Sequence, residues 1–429
     1  MRRKPHPWGI PPWTVDFRPA KRPVPGQVDF AVIGAGFAGL SAAAWLAKLA
    51  PGKSVVVLES GSIGNGASGR TGGMALSETA AGPLPGLGDV LAGYKKILRA
   101  LHVDSRLTLP GAWELGRSGS PKNSPISWYD SGNLHVVKKV RGGTVDPGKV
   151  VSGLAHAAEN AGAQIIEHAE VLSIAPASPS RADTSRIAQV PRHTAPASAS
   201  DVPLLIRIRL KRGTRAKQKT LYARQVLLAT NAASLHLTGL HHQAEPKLTL
   251  ALATTPLTPA QLRATGLSAH PFYTVDFPYL WGRPLANNGY IFGAGLVPPP
   301  TSWNAMFSRH FSRRKLQHSF SELLRFDIHR GASARTLASL ESRVRHMHPA
   351  LRNIRVAHRW GGPILITKGM KPHFGYCHHS NKILILAGFS GHGVALSVYL
   401  GHWAAQSLLG QRSLPRWPRQ SRLARRRRR

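Results

Sequence analysis

The stretch from residue 28 to residue 73 constrains this chain more than any other. An apolar run, Val28–Ile33, is followed at once by three glycines in GxGxxG spacing: Gly34, Gly36 and Gly39. The small, apolar segment Leu40–Ala50 predicts a helix. A second apolar strand, Ser54–Leu58, ends in Glu59. Strand, glycine turn, helix, strand and acidic residue in this order predict a βαβ unit that binds a dinucleotide.

Each glycine of the motif has a separate physical role. Gly34 permits the tight turn, Gly36 lets the backbone approach a pyrophosphate, and Gly39 lets the helix pack closely on the sheet. The first turn of the helix offers free N–H groups and the positive end of its dipole. Glu59 can accept hydrogen bonds from ribose hydroxyls and would repel a 2′-phosphate, which favours FAD or NAD over NADP. The alternative is a strand-to-helix turn that binds nothing.

Four segments resemble motifs of FAD-dependent amine oxidases of the D-amino-acid oxidase superfamily, especially the gamma-glutamylputrescine oxidase and glycine oxidase branch. Residues 66–73, GASGRTGG, resemble the GASGRNGG loop of that family, with Thr71 in place of the Asn. Residues 227–232, LLATNA, resemble its ATNA strand end, and residues 360–362, WGG, its WGG turn. Residues 387–393, AGFSGHG, resemble its flavin-contacting GFSGHG turn. The four motifs occur in the family's order along most of the chain.

The resemblance implies an α/β fold and a set of site residues. A Rossmann-like FAD-binding domain, discontinuous in sequence, is expected beside an α+β substrate domain built on an antiparallel sheet. Arg70 and His392 are the catalytic candidates: Arg70 as a fixed cation near the flavin ring, and His392 in either a structural or a catalytic role. No metal ligands are expected. The expected FAD contacts are Gly34, Gly36, Phe37, Ala38, Gly39, Glu59, Ser60, Ala67, Ser68, Gly69, Arg70, Thr71, Val171, Thr230, Asn231, Gly362, Gly388, Ser390, Gly391, His392, Gly393 and Val394.

Composition and pattern divide the 429 residues into several segments. A chain of this length exceeds what one core usually holds. The predicted segments are a Pro-rich and basic N-terminal arm (1–27), an FAD-binding domain (28–85, 145–235 and 355–412), a substrate domain (86–144 and 236–354), a flexible Ala/Ser/Pro-rich insertion (176–202) and a basic, disordered tail (413–429).

Local patterns predict the main elements of the substrate domain. Helices are expected over Asp89–Ala100, Phe320–Ile328 and Arg335–His346, and antiparallel strands over Lys247–Thr255, Phe272–Val275 and Tyr290–Gly293. The aromatic residues of this domain allow either of two interpretations, a pocket over the flavin or a packed core. They are Phe272, Tyr273, Tyr279, Trp281 and Tyr290.

Charge and cysteine content limit the partners. The chain has 57 Lys and Arg against 19 Asp and Glu, a formal charge of +38. Such a charge is typical of proteins with nucleic-acid or anionic-surface partners. The sequence contains no recognisable nucleic-acid-binding motif, so we do not expect specific nucleic-acid binding.

The single cysteine, Cys377, excludes a disulfide framework. The basic N-terminus lacks the apolar region of a signal peptide and no stretch predicts a membrane span, so we expect a cytoplasmic protein.

The resemblance implies hydride transfer from the carbon beside an amine nitrogen to the flavin, with O2 or a quinone as electron acceptor. This chemistry needs no acid–base dyad, and none is evident. The lysine that binds a substrate carboxylate in sarcosine-oxidase-like members corresponds to Ala395, and its partner arginine is absent around Leu76. The cysteine that tethers flavin in those enzymes aligns near Gly362, so the FAD is expected to be non-covalent. Lys368 and Gly369 stand where relatives often have an Asp.

Three functions therefore remain open from the sequence. The first is an amine or amino-acid oxidoreductase, although a charge of +38 repels a cationic amine. The second is a tRNA-modifying flavoprotein or RNA-associated protein of the same superfamily, which would use that charge. The third is a protein that holds FAD without catalysis.

Overall fold

The computed structural model describes residues 6–119, 123–177, 202–212, 215–297, 327–415 and 417. The strands are β1 (Gln27–Ile33), β2 (Val55–Leu58), β3 (Met74–Leu76), β4 (Ala112–Gly116), β5 (Trp128–Tyr129), β6 (Asn133–Val140), β7 (Gly142–Thr144), β8 (Gln164–Ile166), β9 (Ala169–Pro176), β10 (Leu204–Arg212), β11 (Arg215–Leu228), β12 (Ala244–Thr254), β13 (Phe272–Thr274), β14 (Trp281–Pro284), β15 (Tyr290–Val297), β16 (Val356–Thr367), β17 (His373–Cys377) and β18 (Ser380–Ala387). The α-helices are α1 (Phe37–Leu49), α2 (Val90–Ala100), α3 (Pro147–Asn160), α4 (Leu235–Thr238), α5 (Pro259–Thr265), α6 (Gly331–Met347) and α7 (Gly393–Leu408).

The first sheet is built around the predicted βαβ unit. Its strands run in the order β17-β18-β11-β1-β2-β8, and β10 joins β11 to β9. β1 pairs in parallel with β11 and β2, while β18 is parallel to β11. β2 is buried throughout, as expected for a central parallel strand covered on both faces. The carboxyl ends of β1, β11 and β18 therefore lie at one edge of the sheet.

Helices α1 and α7 lie against each other on one face of this sheet. A Cβ at Gly401 of α7 would lie 2.5 Å from the carbonyl oxygen of Ala38, so only glycine allows this approach. Ser41 Oγ donates to the carbonyl of Val398 at 2.7 Å. Because both helices follow strands of the first sheet, their N-termini lie at the same edge. This packing brings the GxGxxG turn and the GFSGHG turn together.

The second sheet has the strand order β16-β12-β15-β14-β13-β4-β6-β5. Its pairings are antiparallel except for β13 with β4. Helix α6 packs on it through a stripe of buried apolar side chains: Leu337, Leu340 and Val344. The expected strands near 247, 272 and 290 and the expected helices near 89 and 335 are all present.

Two elements differ from the expected division of the chain. The sequence pattern assigns β16 to the FAD-binding domain, but this strand pairs with β12 of the second sheet along its whole length. The WGG segment is therefore not a turn, because Trp360 to Gly362 lie inside the strand. The pattern assigns helix α2 to the substrate domain, but Leu91, Tyr94 and Leu98 are buried in the core that contains α1 and α7.

The N-terminal arm packs across the molecule. Trp8, Trp13 and Phe17 are buried. The amide of Gly361 donates to the carbonyl of Trp8 at 2.9 Å, so the arm lies beside β16, and further on the Phe17 ring contacts His156 of α3. The arm thus bridges the edge of the second sheet and the helices of the first.

Several expectations lie outside the described residues. They are most of the 176–202 insertion, nearly all of the 413–429 tail, and the helix over 320–328 apart from its last two residues. Among the described residues, no helix combines the length and apolar character that crossing a membrane requires.

Candidate cofactor and active site

The glycines of the GxGxxG turn occupy positions where a side chain would collide. Gly34 has a φ of +103°, and a Cβ there would lie 2.9 Å from the carbonyl oxygen of Ala229. A Cβ at Gly39 would lie 2.0 Å from the carbonyl oxygen of Gly34. A Cβ at Gly36 would lie 2.8 Å from Ser68 Oγ. The turn is therefore closed by the sheet on one side and by residue 68 on the other.

The N-terminus of α1 is left open for an anion. Gly36 provides no side-chain cap, and Ser68 Oγ accepts the amide hydrogen of Phe37 at 2.9 Å. Among the described residues, the amides of Ala38 and Gly39 have no hydrogen-bond partner. Unpaired amides at the positive end of a helix dipole favour a phosphate.

Glu59 lies at the carboxyl end of β2, beside the turn. Its carboxylate accepts hydrogen bonds from the amides of Ala35 at 2.9 Å and Gly61 at 2.8 Å. Burial raises the pKa of the Glu59 carboxyl, and these hydrogen bonds oppose that rise. The Ala169 amide donates to the Glu59 carbonyl at 2.7 Å, so β9, which carries the buried Val171, starts at the same point. Ser60 follows at the surface and its hydroxyl donates to the Glu59 carboxylate.

The glycine loop, residues 66–73, is held from behind by three side chains from other elements. Trp13 Nε1 donates to the carbonyl of Gly69 at 2.8 Å, and Trp360 Nε1 donates to the carbonyl of Arg70 at 2.9 Å. The two indole rings meet edge to face with centroids 5.6 Å apart. Arg283 Nε donates to the carbonyl of Gly72. The arm, β16 and β14 thus fix three carbonyls of one short loop.

The Gly69 amide donates to the carbonyl of Gly64, just before the loop, and the Arg70 amide donates to the carbonyl of Ala67, so the backbone is tightly wound. Thr71 Oγ1 accepts the amide hydrogen of Gly73 at 3.4 Å. The Thr71 side chain therefore closes a small turn.

The structure places Arg70 against the arm. Its guanidinium donates to the carbonyls of Trp8 at 3.2 Å and Gly9 at 3.0 Å and lies 5.2 Å from the centre of the Trp8 ring. Burial lowers its pKa to about 10, so the side chain is still a cation at neutral pH. Among the described residues, no carboxylate pairs with it.

The remaining expected contacts gather where β11 and β18 end. Asn231 Oδ1 accepts the amide hydrogen of Gly388 at 2.9 Å, which ties the ATNA segment to the GFSGHG turn. The amide of Thr367 donates to Ser390 Oγ at 3.2 Å. Thr230 Oγ1 is buried and has no hydrogen-bond partner among the described residues. Within this turn, a Cβ on Gly391 would meet open space, whereas Val394, which follows the turn, is buried in the first turn of α7.

Gly362 lies where the second sheet meets the glycine loop. It lies on β16, and a Cβ there would lie 3.0 Å from Arg70 Cβ. The second sheet therefore approaches the glycine loop without space for a larger side chain.

His392 immediately precedes α7 and faces the second sheet. Burial lowers the pKa of its imidazole, so the ring is neutral at neutral pH. Its ring centroid is 6.4 Å from that of Tyr273 on β13. Tyr273 Oη donates to Glu114 Oε1 at 2.7 Å. Sequence reasoning names Tyr273 only as one of several aromatics and does not find Glu114.

Strand registers place six residues in one row across the second sheet. Directly paired positions lie on the same face. The row links β4, β13, β14, β15, β12 and β16 in turn and consists of Glu114, Tyr273, Trp281, Gly293, Ala251 and Trp360. The Trp281 ring would be 2.2 Å from a Cβ on Gly72, and Trp360 bonds to the Arg70 carbonyl, so this face looks toward the glycine loop.

Taken together, these features fit FAD. The open amides of α1 suit a pyrophosphate, Glu59 suits a ribose, and the buried Thr230 hydroxyl, unpartnered among the described residues, is available to a ligand at the end of the sheet. Two sequence-derived candidates are separated: His392 faces the second sheet, whereas the Arg70 guanidinium turns to the arm.

Comparison with known proteins agrees with this assignment. The family model described as FAD dependent oxidoreductase (DAO) matches residues 29–120 and 130–407. The chain belongs to the DAO family of FAD-dependent oxidoreductases. It is an FAD-dependent enzyme with the expected α/β fold, an FAD-binding domain and a substrate domain.

Individual DAO-family relatives are distant in sequence. Probable oxidoreductase OrdL from Haemophilus influenzae is 25% identical over 431 residues, covering 90% of this chain and 83% of the relative. Glycine oxidase from Geobacillus kaustophilus superposes with a TM-score of 0.60 at 18% identity, covering 91% of this chain and 96% of that one. L-amino acid deaminase from Proteus vulgaris gives a TM-score of 0.60 at 15% identity, covering 92% and 96%. These two likenesses show the fold.

Proposed function

We propose that this DAO-family protein oxidises a C–N bond of an amine or amino acid, with non-covalently bound FAD as hydride acceptor and O2 or a quinone as the final electron acceptor. The observation that carries the proposal is the residue row on the second sheet, because it faces the glycine loop and the His392 turn together. The names of the structural relatives, a glycine oxidase and an L-amino acid deaminase, support the same substrate class.

Each component of the site has a role in this proposal. FAD supplies a ring that accepts a hydride from the carbon beside the substrate nitrogen. The α1 N-terminus and Glu59 hold the adenosine and pyrophosphate end. Trp281 and Trp360 cover the glycine loop and exclude water from it. A dry site strengthens electrostatic interactions. His392 is neutral and does not repel a cationic substrate.

Non-covalent attachment is supported by the position of the only cysteine. Cys377 lies on β17, at the edge of the first sheet, where it pairs with Ser380. Gly362 occupies the place beside Arg70. Acid precipitation should therefore release all the flavin into the supernatant, whereas flavin retained on the denatured protein would contradict this feature of the proposal.

Isotopic substitution tests the oxidation step. The FAD-loaded protein is mixed without oxygen with amines and amino acids, each also prepared with deuterium on the carbon beside the nitrogen. At least one compound should reduce the flavin and yield its carbonyl product after hydrolysis of the imine, and the deuterated form should react more slowly. A flavin that no compound reduces would refute the proposed reaction.

A further inference from the structure

Strands β9, β10 and β11 form a three-stranded antiparallel extension of the first sheet. Residues 204–224, which include β10 and most of β11, contain eight basic residues and no acidic residue. The basic residues are Arg207, Arg209, Lys211, Arg212, Arg215, Lys217, Lys219 and Arg224. Strand β9 contributes one carboxylate, Glu170. The extension therefore carries a local excess of positive charge.

One face of the extension presents three of these cations in a straight row. Ile206 and Ile208 of β10 are buried on the other face. Because successive side chains of a strand alternate, Arg207, Arg209 and Lys211 share the opposite face and follow one another at intervals of roughly 6.6 Å. Arg207 is exposed, and the side chains of Arg209 and Lys211 are 42% and 54% exposed. Arg207, Arg209 and Lys211 are called the basic row.

The positive charge of the basic row is only partly compensated. The Glu170 carboxylate lies 3.4 Å from Arg209 Nη1 and 3.0 Å from Lys211 Nζ, so one anion serves two cations. Among the described residues, no carboxylate pairs with Arg207. Beyond the row, Arg212 and Arg215 are register partners, and like charges placed opposite each other destabilise a sheet. Local arrangements that cost stability are typical of functional sites.

The neighbours of the basic row are residue types that contact phosphates. The register partners of Arg207 are Ser173 on β9 and Thr220 on β11, and Gln218 on β11 is the partner of Arg209. Directly paired positions lie on the same face. Arginine, lysine, serine, threonine and glutamine side chains all bind the phosphate oxygens of nucleic acids. A surface that binds a bilayer has large apolar side chains to insert, and the row and these three partners contain none.

We propose that the basic row and its polar partners bind the phosphate backbone of a single-stranded nucleic acid without sequence preference. A flexible single strand follows a row of cations by its backbone, and a net charge of +38 favours its approach. Val171, an expected FAD contact, is the register partner of Ile208 and lies on the buried face. The bound strand and the cofactor therefore occupy opposite faces of the extension, and this binding does not depend on the proposed oxidation.

Fluorescence anisotropy with a labelled oligouridylate tests the proposal on the full-length, FAD-loaded protein at several salt concentrations. The wild type should bind, and its affinity should fall steeply as salt is added. Arg207→Gln should reduce the slope of log affinity against log salt by about 0.7, and the triple variant Arg207→Gln/Arg209→Gln/Lys211→Gln by about 2. The single variant keeps both ion pairs of Glu170, so its fold should persist. Every variant retains the basic residues of 413–429, which contribute equally to all measurements.

Two controls remove exposed cations elsewhere. Lys95→Gln/Lys96→Gln/Arg99→Gln removes three from α2, and Lys217→Gln/Lys219→Gln removes two from β11 that are register partners of the opposite face. Both should keep the wild-type slope. No binding of the oligouridylate at low salt, or equal losses of slope per removed charge in the controls and the row variants, would overturn the inference. Unchanged oligouridylate binding in the triple variant, with loss of binding to phosphatidylglycerol vesicles, would also overturn it and assign the row to a lipid surface.

Discussion

Gly36 is the residue at which the backbone and the cofactor are expected to come closest. Its importance follows from local spacing, so the sequence is sufficient to name it together with Gly34, Gly39 and Glu59. The structure gives the reason for each glycine as a specific close approach, to Ser68, to Ala229 and to the turn itself.

We expect Gly36→Ala to lower FAD affinity by at least about tenfold, because a methyl group would occupy space that the pyrophosphate needs. The fold should remain, since the added Cβ meets only the Ser68 side chain. Flavin titration of the apoprotein measures the change. Gly26→Ala is the control, because a Cβ there meets nothing within 4 Å. Equal FAD affinity in the two variants would contradict the placement of the cofactor.

Other site residues cannot be found from the sequence, because their meaning depends on contacts between distant segments. Trp13 and Gly69 are 56 positions apart, and Tyr273 and Glu114 are 159 apart. No local pattern carries such a pairing. The position of Arg70 can be recognised from its motif. The direction of its guanidinium cannot, because it depends on the path of the N-terminal arm, which the sequence pattern does not predict.

At the scale of elements, β16 shows how a family-like motif can be given a wrong local structure. Paired glycines usually indicate a turn. Gly361 and Gly362 instead lie within a strand, where a Cβ would be 3.0 Å from Leu250 Cδ2 and 3.0 Å from Arg70 Cβ respectively. They are small because other segments of the molecule approach them closely, which only the assembled fold reveals.

The arm, β16 and β14 together hold the glycine loop. Substitution of Trp13 tests whether the arm contributes to stability and to FAD binding through this contact. Trp13→Phe removes the donor to the Gly69 carbonyl, and we expect the unfolding free energy to fall by about 1–2 kcal/mol because a buried carbonyl loses its partner. FAD affinity should fall as well, since the loop is less fixed. Denaturant titration and flavin titration measure the two effects.

Trp113→Phe is the matched control for this change. Its Nε1 is buried and has no hydrogen-bond partner among the described residues, so the same substitution removes a similar ring area but no hydrogen bond. If the two variants lose the same stability and the same FAD affinity, the arm does not hold the loop through this bond.

At the scale of the whole molecule, histidines with lowered pKa values make stability depend on pH. Desolvation is the largest cause of a lowered pKa at five imidazoles in the folded state: His6, His236, His373, His392 and His402. Nearby Arg412 and Lys96 contribute at His402, whose pKa falls to about 4. In the unfolded chain these groups titrate near about 6.5. Between those values the unfolded state binds more protons, so stability falls as the pH falls.

We therefore expect the unfolding temperature to drop progressively from pH 7 toward pH 4. His402→Phe should make this dependence shallower, because it keeps a ring against Trp45 and removes one titrating group. Thermal unfolding at several pH values measures both slopes. A flat profile over this range, or an unchanged slope in the variant, would show that these histidines do not titrate as the structure indicates.

The most direct test of the central claim is the visible absorption spectrum of the purified protein, followed by titration with amines and amino acids in the absence of oxygen. We predict flavin bands that bleach as at least one of these compounds is added and return when oxygen or a quinone is admitted. Protein that carries no flavin and binds none on reconstitution would contradict the assignment of the FAD site, and bound flavin that no amine or amino acid bleaches would contradict the proposed oxidation.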